Sequence, residues 1–94
     1  MFTEDIDAFK AMGSEPRQQI LGAIEYGTKN PGRISRELGM PRSTVEKHIR
    51  ILLNAKLVNK IPILNEEDRI SVSYEINPLA YQLREAVVNH SQYR

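Results

Sequence analysis

Residues 32–58 read GRISRELGMPRSTVEKHIRILLNAKLV, and their punctuation predicts two helices joined by a tight turn. Asn30, just upstream, is a natural N-cap for a short helix started by Pro31, with Ile34 and Leu38 four residues apart on one face. Gly39 then serves as a left-handed terminator. After Met40-Pro41, residues 42–56 place Val45, Ile49, Leu52 and Leu53 on one stripe, while Ser43, Lys47, Arg50 and Asn54 fall on the opposite side. The second helix is therefore amphipathic with a basic wet face. Contact of Leu38 with Val45, Ile49 and Leu52 locks the pair at a steep angle and leaves the start of the second helix protruding into solvent.

Moving outward, the hydrophobic period changes from that of a helix to that of a strand. Residues 57–64 and 69–76 read as two strands around the polar turn Asn65-Glu66-Glu67-Asp68. Pro62 cannot donate to a ladder, so the first strand is expected at an edge or broken near that point. Asn77 caps a last helix over 78–91, with Pro78 in its first position. Upstream, residues 3–12 carry Ile6, Phe9 and Ala8/Met12 at helical spacing, with Thr3 as N-cap and Glu4, Asp5 and Asp7 at the positive end of the dipole. Ser14 caps another helix, with Pro16 in its first turn and Ile20, Leu21, Ala23 and Ile24 before Gly27. Two short helices across a glycine-containing turn, followed by a hairpin, is the order of a winged helix-turn-helix: an α+β fold, mostly α.

The chain has 94 residues, so a single module over 1–94 is expected, divided into the helix-turn-helix (31–56), the wing (57–76) and the C-terminal helix (78–91). With 40% hydrophobic and 27% charged residues the composition is that of an ordinary folded protein. The absence of cysteine excludes disulfides, thiolate metal sites and cysteine nucleophiles. No apolar run approaches the roughly 20 residues of a membrane helix, and the acidic start lacks a signal peptide's basic segment; the cytoplasm is the expected compartment. Net charge is only +1, yet its distribution is uneven. Residues 16–60 hold nine Lys or Arg against three Glu, a net of +6, between an acidic start and an acidic stretch over 61–77. A basic block of this kind is either a solvated face or a footprint for nucleic acid.

The run from Gly32 to Val58 resembles the helix-turn-helix of ArsR-type winged-helix transcriptional regulators. Residues 9–17 (FKAMGSEPR) with Ile20 and Leu21 are similar to the junction that precedes it in that family, and the exit 74–78 (YEINP) extends the likeness over nearly the whole chain. The resemblance implies a homodimeric, sequence-specific regulator of transcription, a repressor that blocks a promoter, with the first and last helices pairing two protomers. Ile6, Phe9, Leu79, Leu83 and Val87 are the residues expected at that interface. Leu79, Leu83, Ala86 and Val87 form one stripe of the last helix, while Ala80, Tyr81 and Val88 add apolar surface on a second side, more than one core needs. A twofold dimer sets recognition helices about 34 Å apart, matching pseudo-palindromic half-sites.

The chemistry of the basic block agrees with duplex DNA as partner. A protruding helix fits a major groove roughly 12 Å wide. Arg42, Ser43 and Thr44 in the first turn and Lys47 one turn later are positioned for base edges, with Arg42 suited to guanine and the two hydroxyls serving equally as phosphate ligands or caps. His48 lies between the wet face and the stripe, where packing is favoured and base contact is a second role. Arg33, Arg36, Arg50, Lys60 and Arg69 are the expected phosphate contacts, though singly each also reads as a solubilising charge. The acidic tip over 65–68 is expected to stay off the phosphates. Pro41 stands where a hydroxyl cap often starts the recognition helix, and Lys56 replaces a usual glycine, which is tolerable if its backbone is not left-handed. Many members of the resembled family sense metals through cysteine pairs or His and carboxylate clusters. Here the last helix offers Glu85 and His90, five residues apart and split around the helix, so no metal and no cofactor are expected. No catalytic constellation or phosphate loop is present, which argues against an enzyme. The other reading from a different class is a winged-helix protein-interaction module within a transcription, replication or viral assembly.

Overall fold

Ser14 caps the helix α1 (Glu15–Glu25): its hydroxyl accepts from the Arg17 amide at 3.4 Å, with Pro16 in the first turn. The computed structural model describes Ala8, residues 10–28 and residues 30–92, with side-chain surroundings through Ala86. Ala8 and residues 10–12 are helical; the rest of the helix expected over 3–12, including Ile6 and Phe9, lies outside the described residues.

Asn30 opens α2 (Pro31–Leu38) by accepting from the Gly32 and Arg33 amides at 2.8 and 3.3 Å. This helix stops as its sequence requires, at Gly39 with φ 67°, where the Met40 amide returns to the Ser35 carbonyl at 3.1 Å and the Ser35 hydroxyl donates to the Met40 carbonyl. Pro41 then precedes α3 (Arg42–Asn54) with no side-chain cap; its carbonyl accepts from the Val45 amide at 3.1 Å. Chain stiffness at Met40-Pro41 thus takes the place of a capping hydroxyl.

The end of α3 differs from expectation. It stops at Asn54, two residues short of Lys56, because Lys56 is left-handed at φ 62°. The Leu57 amide reaches the Leu52 carbonyl at 2.9 Å and the Lys56 amide reaches that of Leu53 at 3.0 Å, the paired bonds of a Schellman termination with lysine where glycine is usual. A Cβ in this conformation costs about 1–2 kcal/mol. Lys56→Gly is therefore expected to raise stability by about 1 kcal/mol, whereas Gly39→Ala, at the left-handed end of α2, lowers it by about 1–2 kcal/mol. Urea denaturation of both variants beside the parent checks the opposite signs.

The capped α3 delivers the chain into β1 (Val58–Leu64), which pairs antiparallel with β2 (Ile70–Ile76) in unbroken register from Val58↔Ile76 to Leu64↔Ile70. Each strand starts one residue later than expected. Leu57 is fully buried and used in the α3 termination, and Arg69 gives its amide to Asn65 Oδ1 at 3.0 Å. Pro62 does not break β1, since in a two-stranded sheet both strands are edges. At the far end, the Asn77 side chain accepts from the Leu79 amide at 2.9 Å and opens α4 (Pro78–Gln92), one residue longer than expected.

The core joins Met12, Ile20, Leu21 and Ile24 to Ile34 of α2, to Val45, Ile49 and Leu52 of α3, and to Leu57, Val58 and Ala80. Among the described residues no polar or charged side chain is buried with them. Leu38 and Leu53 are half-buried on its rim. Ala80 is not spare apolar surface: it is 1% exposed within this core. The arrangement is a winged helix-turn-helix, with α3 packed across α1 and α2 and the wing leaving from its far end.

Candidate nucleic-acid interface

Burying Val45, Ile49 and Leu52 turns the other side of α3 outward. Arg42, Ser43, Glu46, Lys47 and Arg50 are exposed, while Thr44 and His48 are half-buried at the margins. At the head of α3, Arg42 Nε lies 3.3 Å from Glu46 Oε1, one turn on. An exposed pair of this spacing is worth about 0.3–0.5 kcal/mol, so Arg42 is steered rather than sequestered. Glu46 escaped the sequence reading; its i, i+4 spacing from Arg42 was the available signal.

The turn brings α2 to the same place. A Cβ built on Gly32 would lie 3.8 Å from Arg42 Nη1 and 4.0 Å from Arg36 Nη1, so the two guanidiniums converge over the first turn of α2. Arg33 is exposed on α2 and Lys60 on β1 opposite Tyr74. Arg69 lies apart, at the wing tip, 3.8 Å from Glu67 Oε2, with 79% of its side chain exposed.

The second residue missed by sequence is Arg17. From the first turn of α1 it donates through Nε to the Ala11 carbonyl at 2.9 Å and through Nη1 to His48 Nδ1 at 3.2 Å. A guanidinium only donates, so His48 accepts at Nδ1 and carries its proton on Nε2. Nothing in the spacing of residues 17 and 48 points to this contact; it exists because α1 and α3 cross. Burial, then Arg17, then Lys47 lower the His48 pKa below its usual 6.5. The imidazole is held neutral in the fold, and the unfolded chain takes up the proton first as pH falls. His48 thus leaves stability untouched above pH 6.5 and erodes it as pH drops from 6.5 towards its folded value. The loss between pH 7.5 and pH 5 is expected to be smaller in His48→Gln than in the parent, as read from urea midpoints.

A family model described as a helix-turn-helix domain matches residues 12–61, from the end of the first helical stretch through α3 into β1. The chain belongs to this helix-turn-helix family. A search of curated proteins returned no match. Helix-turn-helix domains are DNA-binding parts of transcription regulators, typically without catalytic activity. Among the described residues no group of three or more His, Asp or Glu is placed to hold a metal ion, and no helix is long and apolar enough to cross a membrane.

Of the interface residues expected from the resemblance, Ile6, Phe9 and the Val87 side chain lie outside the described residues. Leu79 and Leu83 are half-buried, each packed on this chain's own core. On the neighbouring side of α4, Tyr81 is 44% exposed beneath the Arg84 guanidinium, which also meets Glu25 at 3.4 Å.

Proposed function

We propose that this helix-turn-helix protein is an ArsR-type homodimeric repressor, acting in the cytoplasm without metal or cofactor, that reads a pseudo-palindromic operator with α3 in the major groove. The observation carrying the proposal is the outward face of α3, where Arg42, Ser43, Lys47 and Arg50 stand exposed over a fully apolar packing face. Arg42 and Lys47 take base edges and Ser43 and Thr44 a base or a phosphate. His48, held by Arg17, presents only its Nε2 proton to the groove. Arg33, Arg36, Arg50, Lys60 and Arg69 neutralise phosphates, Arg36 from beside Arg42.

The chain acts as one module: helix-turn-helix 31–56, wing 57–76 and C-terminal helix 78–91. Its dimer joins Ile6, Phe9, Leu79, Leu83 and Val87 across a twofold axis and sets the two α3 helices about 34 Å apart. The half-exposure of Leu79 and Leu83 leaves apolar surface for a second copy to cover.

Selection of duplexes from a random pool, followed by native mass measurement and affinity against salt, tests it. A near-palindrome bound by two protomers is expected, with log affinity falling against log salt at a slope of about −9 if five side chains per protomer each neutralise a phosphate. Salt-insensitive binding, or no enrichment of sequence, contradicts the reading.

A further inference from the structure

The wing carries an apolar surface that the helix-turn-helix does not use. Side chains alternate across a strand, so the cross-strand pairs Pro62↔Val72 and Leu64↔Ile70 stand side by side on one face of the hairpin. Leu64 is 70% exposed, Ile70 77% and Val72 38%, and Ile63 on the opposite face is 46% exposed. These are four of the six large apolar side chains exposed among the described residues, gathered in the outer half of one hairpin. Apolar surface gathered in this way marks an interaction site more often than scattered residues do.

The charge beside the patch chooses the occupant. Glu66, Glu67 and Asp68 crown it against Arg69 alone, which sits 3.8 Å from Glu67. The tip is held in shape: Asn65 Oδ1 accepts from the Glu67 and Arg69 amides at 2.9 and 3.0 Å, and the Asn65 amide donates to the Arg69 carbonyl at 2.9 Å. Carboxylates fixed at the leading end oppose close approach to phosphates, and two such tips oppose each other. A positively charged polypeptide meets neither objection.

We propose that the outer half of the wing is a docking surface for a partner protein segment in which apolar side chains are flanked by lysine or arginine. The apolar residues cover Leu64, Ile70 and Val72, and the basic ones meet Glu66, Glu67 and Asp68. The surface is separate from the face of α3, so the partner and a duplex are held at once.

The test uses the full chain, isotope-labelled for amide chemical-shift mapping, and two synthetic probes: a short peptide alternating lysine with valine, and its counterpart with glutamate for lysine. The lysine peptide is expected to shift amides over residues 62–72, and the glutamate peptide to leave them in place. Leu64→Ser with Ile70→Ser is expected to weaken the lysine peptide about tenfold. Glu66→Gln, Glu67→Gln and Asp68→Asn together, which keep the turn chemistry, are expected to do the same. The protein with the two serine substitutions should retain duplex binding within about twofold. The proposal is overturned if the lysine peptide shifts no amides over 62–72, if the two peptides bind equally, or if neither set of substitutions weakens the lysine peptide. It is also overturned if duplex DNA displaces the lysine peptide from the wing, or if the patch amides respond to rising concentration of the protein alone.

Discussion

Arg42→Ala is expected to weaken binding to the selected duplex by about 1–3 kcal/mol per half-site, roughly 30-fold or more for the dimer, and to relax the preference at one base pair in each half-site. The magnitude follows from where Arg42 stands. It opens α3 in the exposed first turn, its side chain is 66% exposed, and its pair with Glu46 is a surface contact worth only about 0.3–0.5 kcal/mol. Exchanging Glu46 for guanine therefore loses little, while a bidentate contact in the groove gains a discrimination that alanine cannot supply. Arg50→Ala serves as the contrasting case: the loss of one phosphate contact per protomer is expected to weaken all duplexes alike and to reduce the salt slope by about 2. Competition anisotropy with single-base operator variants separates the two patterns. Equal loss on every sequence for Arg42→Ala would move that residue from base reading to phosphate binding.

Leu52→Ala carries the largest expected effect on stability. Leu52 is fully buried on the inward stripe of α3, and its carbonyl anchors the Leu57 amide that ends the helix. Truncation of a buried leucine typically costs about 2–5 kcal/mol, because the surroundings relax only partly into the space left. Domains of this size have a total stability of about 5–15 kcal/mol, so a fall in Tm of ten degrees or more is expected in a calorimetric scan. The neighbouring Leu53→Ala, at a half-buried rim position, is expected to cost less than half as much. Similar losses at the two positions would mean that the stripe of α3 is not seated as described.

Those two residues also show what was legible in the sequence. Local chemistry was readable wherever one residue decides a local conformation. Asn30, Gly39 and Asn77 cap or end the helices they were expected to, and the change from helical to alternating pattern located the hairpin. The stripe over Val45, Ile49 and Leu52 was readable for the same reason, since helical period alone places it. The usual glycine at position 56 of the resembled family raised a left-handed backbone there, but lysine itself gives no sign of one and the helix was read through Lys56; that conformation accompanies the Leu57 return to Leu52.

Within the site, the exposed basic positions of α3 were legible, since exposure follows once the apolar stripe is placed. The contacts between elements were not. Arg17 reaches His48 across 31 residues of sequence, and Arg36 and Arg42 both come near Gly32 only because the turn at Gly39 folds α2 back over the start of α3. Pattern along a chain carries no record of which helices cross. The same holds for the last helix, where an apolar second side was expected at Ala80, yet Ala80 serves the core of its own chain.

The most direct test of the central claim is methylation interference on the selected duplex, because guanine N7 is reached in the major groove and adenine N3 in the minor groove. Methylation of guanine N7 within each half-site is expected to abolish binding by the parent protein, and the interference at one guanine is expected to vanish for Arg42→Ala. Interference confined to adenine N3, or a guanine pattern unchanged by Arg42→Ala, would contradict the placing of α3 in the major groove.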